Sequence, residues 1–95
     1  NWSIKTKIMI RFNILFFASL RESFGFNHKQ IEVSKNIRTL NELLEHMSLD
    51  KESPWPNLTK NKKCYRVAIN QELSSWDDNI SDGDEIAFFP PITGG

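Results

Sequence analysis

Residues 12–17 read Phe-Asn-Ile-Leu-Phe-Phe, and this run constrains the fold more than any other stretch of the chain. A strand so nearly apolar on both faces belongs in the middle of a sheet, because an edge position would leave much of it in water. Alternation puts Phe12, Ile14 and Phe16 on one side and Leu15 and Phe17 on the other. The rest of the sequence must therefore supply flanking strands and a covering layer. Its 95 residues suffice for one domain with one compact core and no disulfide or metal staple.

The covering layer is announced by Thr39 and Glu42, a Thr-x-x-Glu capping box that opens a helix. Leu40, Leu43, Leu44 and Met47 follow at i, i+3, i+4 and i+7, a stripe that reads as a core face and leaves little room for a cofactor. Residues 18–24 predict a short helical turn closed by Gly25 as a left-handed cap. Residues 29–33, with Ile31 and Val33 inward, predict a second strand paired to the first. Pro54 and Pro56 make their segment a loop or short irregular helix, anchored by Trp55. Residues 65–69 and 72–76 read as two short strands joined by a tight Asn70-Gln71 hairpin, since Asn tolerates positive φ. Asp82-Gly83-Asp84 then turns the chain into a final strand over residues 85–89. One main helix on a mixed sheet of about five strands, in this order, is the α+β arrangement of a β-grasp domain.

Composition narrows the function. Twelve basic and twelve acidic side chains cancel, and the short Lys60-Asn61-Lys62-Lys63 cluster reads as a solvated loop. Nucleic acid is not expected as a partner, because phosphate binding needs a concentrated basic face. Cys64 is the only cysteine, so neither an internal disulfide nor a thiolate metal set is expected, and a reducing, cytoplasmic setting follows. Cys64 starts an alternating segment and reads as a packing residue. His28 and His46, far apart and without a supporting carboxylate pattern, read as ordinary surface or boundary residues. Arg11 and Asn13 interrupt the apolar run near the start, which is too short to span a bilayer, so neither a signal segment nor a membrane partner is expected. Met9 is a candidate initiator, with residues 1–8 read as an extension derived from an expression vector, residues 9–89 as the domain and 90–95 as a tail.

The tail begins where Phe88-Phe89 meets two prolines that cannot continue a ladder, and it ends in two residues without side chains. Extended, residues 90–95 reach roughly 20 Å at about 3.3 to 3.6 Å per residue, enough to carry a carboxylate into a partner's interior. Gly94 and Gly95 let the backbone pass where a Cβ would collide. A frayed terminus is the alternative, set against the stiff Pro-Pro stem. No Ser/His/Asp grouping, Cys/His pair or phosphate-cradling loop is present, which leaves the terminal carboxylate as the unusual group. Ionised at neutral pH, with a reference pKa of about 3.3 to 3.7, it must be activated elsewhere.

Leu15-Phe16-Phe17-Ala18 with Arg21-Glu22, Ala68-Ile69-Asn70-Gln71, and the closing run Ser81-Asp82-Gly83-Asp84-Glu85-Ile86-Ala87-Phe88-Phe89-Pro90-Pro91-Ile92-Thr93-Gly94-Gly95 occur in one order and spacing. On these residues the chain, from about residue 12 to 95, resembles the MoaD family, the ubiquitin-like sulfur carriers that form the small subunits of molybdopterin synthase. The resemblance implies the ubiquitin-like β-grasp fold with parallel first and last strands. Parity then puts Ile86 and Phe88 with Phe12, Ile14 and Phe16, and Ala87 and Phe89 with Leu15 and Phe17. The second group is expected to form an exposed docking face, unless the loop around Trp55 folds across it.

The resemblance also implies the chemistry. An ATP-dependent adenylating and sulfur-transfer enzyme activates Gly95 and converts it to a C-terminal thiocarboxylate, with ATP used by that partner and no cofactor or metal bound by this chain. The large subunit of molybdopterin synthase then receives the tail, and sulfur passes to cyclic pyranopterin monophosphate to make the molybdopterin dithiolene. Gly95 carries the reaction and Gly94 permits close approach. Pro90, Pro91, Ile92 and Thr93 form the stem, and Phe17 and Phe89 are the candidate docking residues. Arg21 is a candidate partner contact or else a solvated helix charge. Two copies flanking a dimer of large subunits, a heterotetramer, are expected. A sulfur carrier for thiazole or thionucleoside synthesis, or a ubiquitin-like modifier that forms isopeptide bonds, are the alternatives; the Phe-Phe-Pro-Pro stem favours the molybdopterin branch.

Overall fold

Five strands form one mixed sheet in the order β2-β1-β5-β3-β4, so the last strand in the chain lies at its centre. The computed structural model describes residues 9–90. Strand β1 spans Met9–Phe16, β2 His28–Ser34, β3 Arg66–Ile69, β4 Glu72–Ser74 and β5 Glu85–Phe89. Helix α1 spans Ser19–Phe24, α2 Leu40–Met47 and α3 Trp55–Lys60, and a 3-10 turn covers Lys62–Cys64.

Strand β1 has partners on both edges, as its two apolar faces require: β2 antiparallel and β5 parallel. The parallel register pairs Ile14 with Ile86, Leu15 with Ala87 and Phe16 with Phe88. Phe12, Ile14, Phe16, Ile86 and Phe88 are all buried on one side of the sheet. Against them pack Leu20 of α1, Leu40, Leu43 and Leu44 of α2, and Trp55 and Leu58 of α3. All three helices thus cover the same face.

The local signals act as their chemistry dictates. Glu42 N–H donates to Thr39 Oγ1 at 3.2 Å while Thr39 N–H donates to the Glu42 carboxylate, closing the capping box. Gly25 closes α1 at φ 85° and its N–H donates to the Arg21 carbonyl. Asn70 and Gln71 sit at φ 52° and 72°, the two positive values of a two-residue hairpin turn that joins β3 to β4.

One local expectation is corrected. Cys64 is exposed, because the 3-10 turn carries it out of the alternating segment and β3 starts two residues later, at Arg66. The segment after Pro54 takes the second of its two expected forms, a short helix with Pro56 in its first turn, where a missing N–H costs nothing. Trp55 does not cross to the far face of the sheet; it packs edge-on against Phe16, Phe24 and Phe88 in the core.

Candidate functional site

The far face of the sheet is apolar and has no helix over it among the described residues. A shallow depression there is lined by Leu15 and Phe17 from the β1 strand line, Ala87 and Phe89 from β5, Ala68 from β3 and Leu73 from β4, with Gln71 and Glu85 at its border. Phe17 and Phe89 stack at 4.8 Å between ring centroids and 6° between planes. Phe17 remains 41% exposed and Leu73 78%. Stacked rings with open faces are the kind of apolar anchor that interfaces use, large in area and low in conformational cost.

The backbone around Phe17 is under strain. Its N–H donates to the Phe88 carbonyl at 3.2 Å, continuing the ladder, and the next residue, Ala18, turns at φ 53° and ψ −128°. A residue with a Cβ held there costs on the order of 1–3 kcal/mol. The turn ends β1 abruptly and starts α1, leaving Phe17 at the sheet end beside Phe89.

Strand β5, which leads into the tail, is firmly anchored in the sheet. It is paired on both sides, and Ile86 and Phe88 have no solvent exposure. Phe88 is surrounded by Phe16 at 5.9 Å, Trp55 at 5.6 Å and Trp76 at 6.2 Å. The turn before it is tied to two other segments, β1 and the β3–β4 turn. Arg11 N–H donates to Asp82 Oδ1 at 2.7 Å, and Gly83 N–H donates to the Arg11 carbonyl at 2.7 Å. Asn70 Nδ2 donates to Asp84 Oδ1 at 2.9 Å, and Glu85 N–H donates to Asn70 Oδ1 at 3.0 Å. Gly83 adopts φ +88°, a value that favours glycine, which explains the Asp-Gly-Asp pattern in structural terms.

Of the residues singled out in the sequence, Phe17 and Phe89 are brought together, and Pro90 follows Phe89 directly at the end of β5. Arg21 lies exposed on α1, and its side chain makes no ion pair among the described residues. Pro91, Ile92, Thr93, Gly94 and Gly95 lie outside the described residues. Ala68, Leu73 and Gln71 were not anticipated as part of this face. Ala68 reaches it through the β3–β5 pairing, a long-range register that local periodicity does not encode, and Leu73 lies beside Ala68 in the β3–β4 pairing. Among the described residues no cluster of three or more His, Cys, Asp and Glu side chains could hold a metal ion, and no helix is long and apolar enough to cross a membrane.

The ThiS family matches residues 14–95. The molybdopterin synthase sulfur carrier subunit of Escherichia coli strain K12 is 40% identical over 82 residues, covering 86% of this chain and 96% of that protein. The corresponding Haemophilus influenzae subunit is 42% identical over 83 residues, covering 87% of this chain and 98% of that protein. Among solved structures, SAMP1 from Haloferax volcanii superposes with a TM-score of 0.67 at 23% identity, covering 90% of this chain and 99% of that one. A chain of the protein–protein complex of subunits 1 and 2 of molybdopterin-converting factor from Helicobacter pylori superposes with a TM-score of 0.53 at 23% identity, covering 90% of this chain and all of that one. A β-grasp sheet with its last strand at the centre, an uncovered aromatic face and these sequence identities agree: the chain belongs to the ThiS family and, within it, to the sulfur carrier subunits of molybdopterin synthase.

Proposed function

We propose that the reactive group of this sulfur carrier is the carboxylate of Gly95, with the globular body as its handle. The carboxylate attacks the α-phosphorus of ATP on a separate activating enzyme, releasing pyrophosphate and leaving a Gly95 acyl-adenylate. A sulfide-equivalent nucleophile then displaces AMP to give the thiocarboxylate. Its sulfur is anionic at neutral pH and far more nucleophilic than the oxygen it replaces, as thiolates are relative to alcohols. In the large subunit of molybdopterin synthase it attacks a side-chain carbon of cyclic pyranopterin monophosphate, and the carbon–oxygen bond at that carbon breaks, its oxygen leaving as water or staying on the opened phosphate. Water hydrolyses the resulting thioester, so the sulfur stays on the pterin and Gly95 returns as a carboxylate. Two such transfers complete the dithiolene.

In this division of labour the large subunit supplies the pocket and the acid–base groups. The face around Phe17 and Phe89 docks, Pro90 to Thr93 guide the tail, and Gly94 admits the backbone. The cycle belongs in the reducing cytoplasm, where a thiocarboxylate and the free Cys64 both persist.

The observation that carries the reading is the position of β5. It is anchored by two fully buried side chains and ends at Phe89-Pro90, beside the exposed Phe17–Phe89 stack. A tail leaving a firmly held central strand next to an apolar patch is presented for insertion when the patch docks. The test is reconstitution with the cognate large subunit, activating enzyme, ATP, sulfur donor and precursor. The full chain should give molybdopterin and a chain lacking Gly94 and Gly95 should give none; equal yields from both would contradict the proposal.

A further inference from the structure

The docking face is electrically lopsided. The β3–β5 register pairs Arg66 with Phe89 and Ala68 with Ala87, so Arg66 stands on the same face as the aromatic stack. Across the tail end of the sheet the order is Phe17, Phe89, Arg66, with the tail leaving from the middle position. Arg11 also belongs to this face by parity, but at the opposite end, and its Nε donates to Glu32 at 3.1 Å. Arg66 is exposed, and its side chain makes no hydrogen bond or ion pair among the described residues. At the far end Glu85 borders the depression, beside the Asp82-Gly83-Asp84 turn. The chain as a whole carries no net charge, so this polarity comes from placement alone.

Resting on the reading that this face docks the large subunit, we propose that Arg66 is a specificity and orienting contact: it pairs with a carboxylate bordering the cleft that receives the tail. An arginine at the edge of an aromatic patch matches the composition of interface borders, and its planar guanidinium suits a carboxylate. The physical role is directional. The apolar centre of the face is compatible with several rotations of the partner, whereas a cation at the tail end and carboxylates at the other end favour the one rotation that aligns the tail with its cleft. Such border charges act mainly on the association rate and its salt dependence.

The experiment measures association of the full chain with the large subunit by stopped-flow at low and at physiological salt. Compared are the natural chain, Arg66→Ala, Arg66→Glu and Lys51→Glu. Lys51→Glu changes net charge as Arg66→Glu does, but on the loop between α2 and α3, on the helix side. Arg66→Ala should slow association about five- to tenfold at low salt, Arg66→Glu more, and both should flatten the salt dependence. Dissociation and thermal unfolding should change little. Equal rates and salt slopes for the natural chain and the Arg66 variants, or an equal effect from Lys51→Glu, would overturn the role of Arg66 while leaving the docking face standing. Failure of the natural chain to bind the large subunit at all would overturn both.

Discussion

Phe88 and Phe89 are consecutive and chemically identical, yet one is sealed among Phe16, Trp55 and Trp76 while the other stacks on Phe17 at the surface. The difference is strand parity. Phe88→Ala should therefore cost about 3–5 kcal/mol, read as a lowered midpoint in denaturant. Phe17→Asp should leave that midpoint nearly unchanged and weaken binding to the large subunit by about thirtyfold or more, measured by calorimetry. Loss of the folded state in Phe17→Asp would show instead that the ring is core. Parity is readable in the sequence, and both assignments follow from it once the family resemblance supplies the parallel pairing of the first and last strands. Ala18 and Cys64 were not. The positive φ of Ala18 is imposed by the tight passage from β1 to α1, and the exposure of Cys64 follows from a 3-10 turn that alternation masks. Ala18→Gly should raise stability by about 1 kcal/mol if the strained turn is otherwise kept.

At the scale of elements, helix α2 and the β3–β4 hairpin declare themselves locally, through the capping box and through the asparagine at a positive-φ turn position. What sequence alone does not reveal is that the hairpin is tied to the start of β5. Asn70 donates its N–H to the Glu85 carbonyl at 2.7 Å and uses its side chain on Asp84 and Glu85, contacts that exist only once the sheet is assembled. Asn70→Ala should therefore destabilise by about 1–3 kcal/mol, through unmet hydrogen bonds at the head of β5. Thermal unfolding measures this. Thr39→Ala, which removes one half of the capping box, should cost about 1 kcal/mol by the same measurement.

At the scale of the whole molecule, the proposed function assigns the chemistry to the chain's end and the handle to the folded body. Among the described residues three helices cover one face of the sheet, the other face is open and apolar, and the central strand ends at Phe89 on the border of that open face. Here the sequence was informative because the apolar positions outnumber what one core can hold: among the described residues no helix covers Leu15, Phe17 and Phe89. The most direct measurement of the account's central claim is the intact mass of the chain after incubation with ATP, a sulfur donor and the cognate activating enzyme, with the site mapped by fragmentation. The account predicts a gain of one sulfur less one oxygen, located on Gly95 and absent when one residue is appended beyond it, with thermal unfolding unchanged. An unaltered Gly95, or chains joined instead to lysines of other proteins, would contradict it.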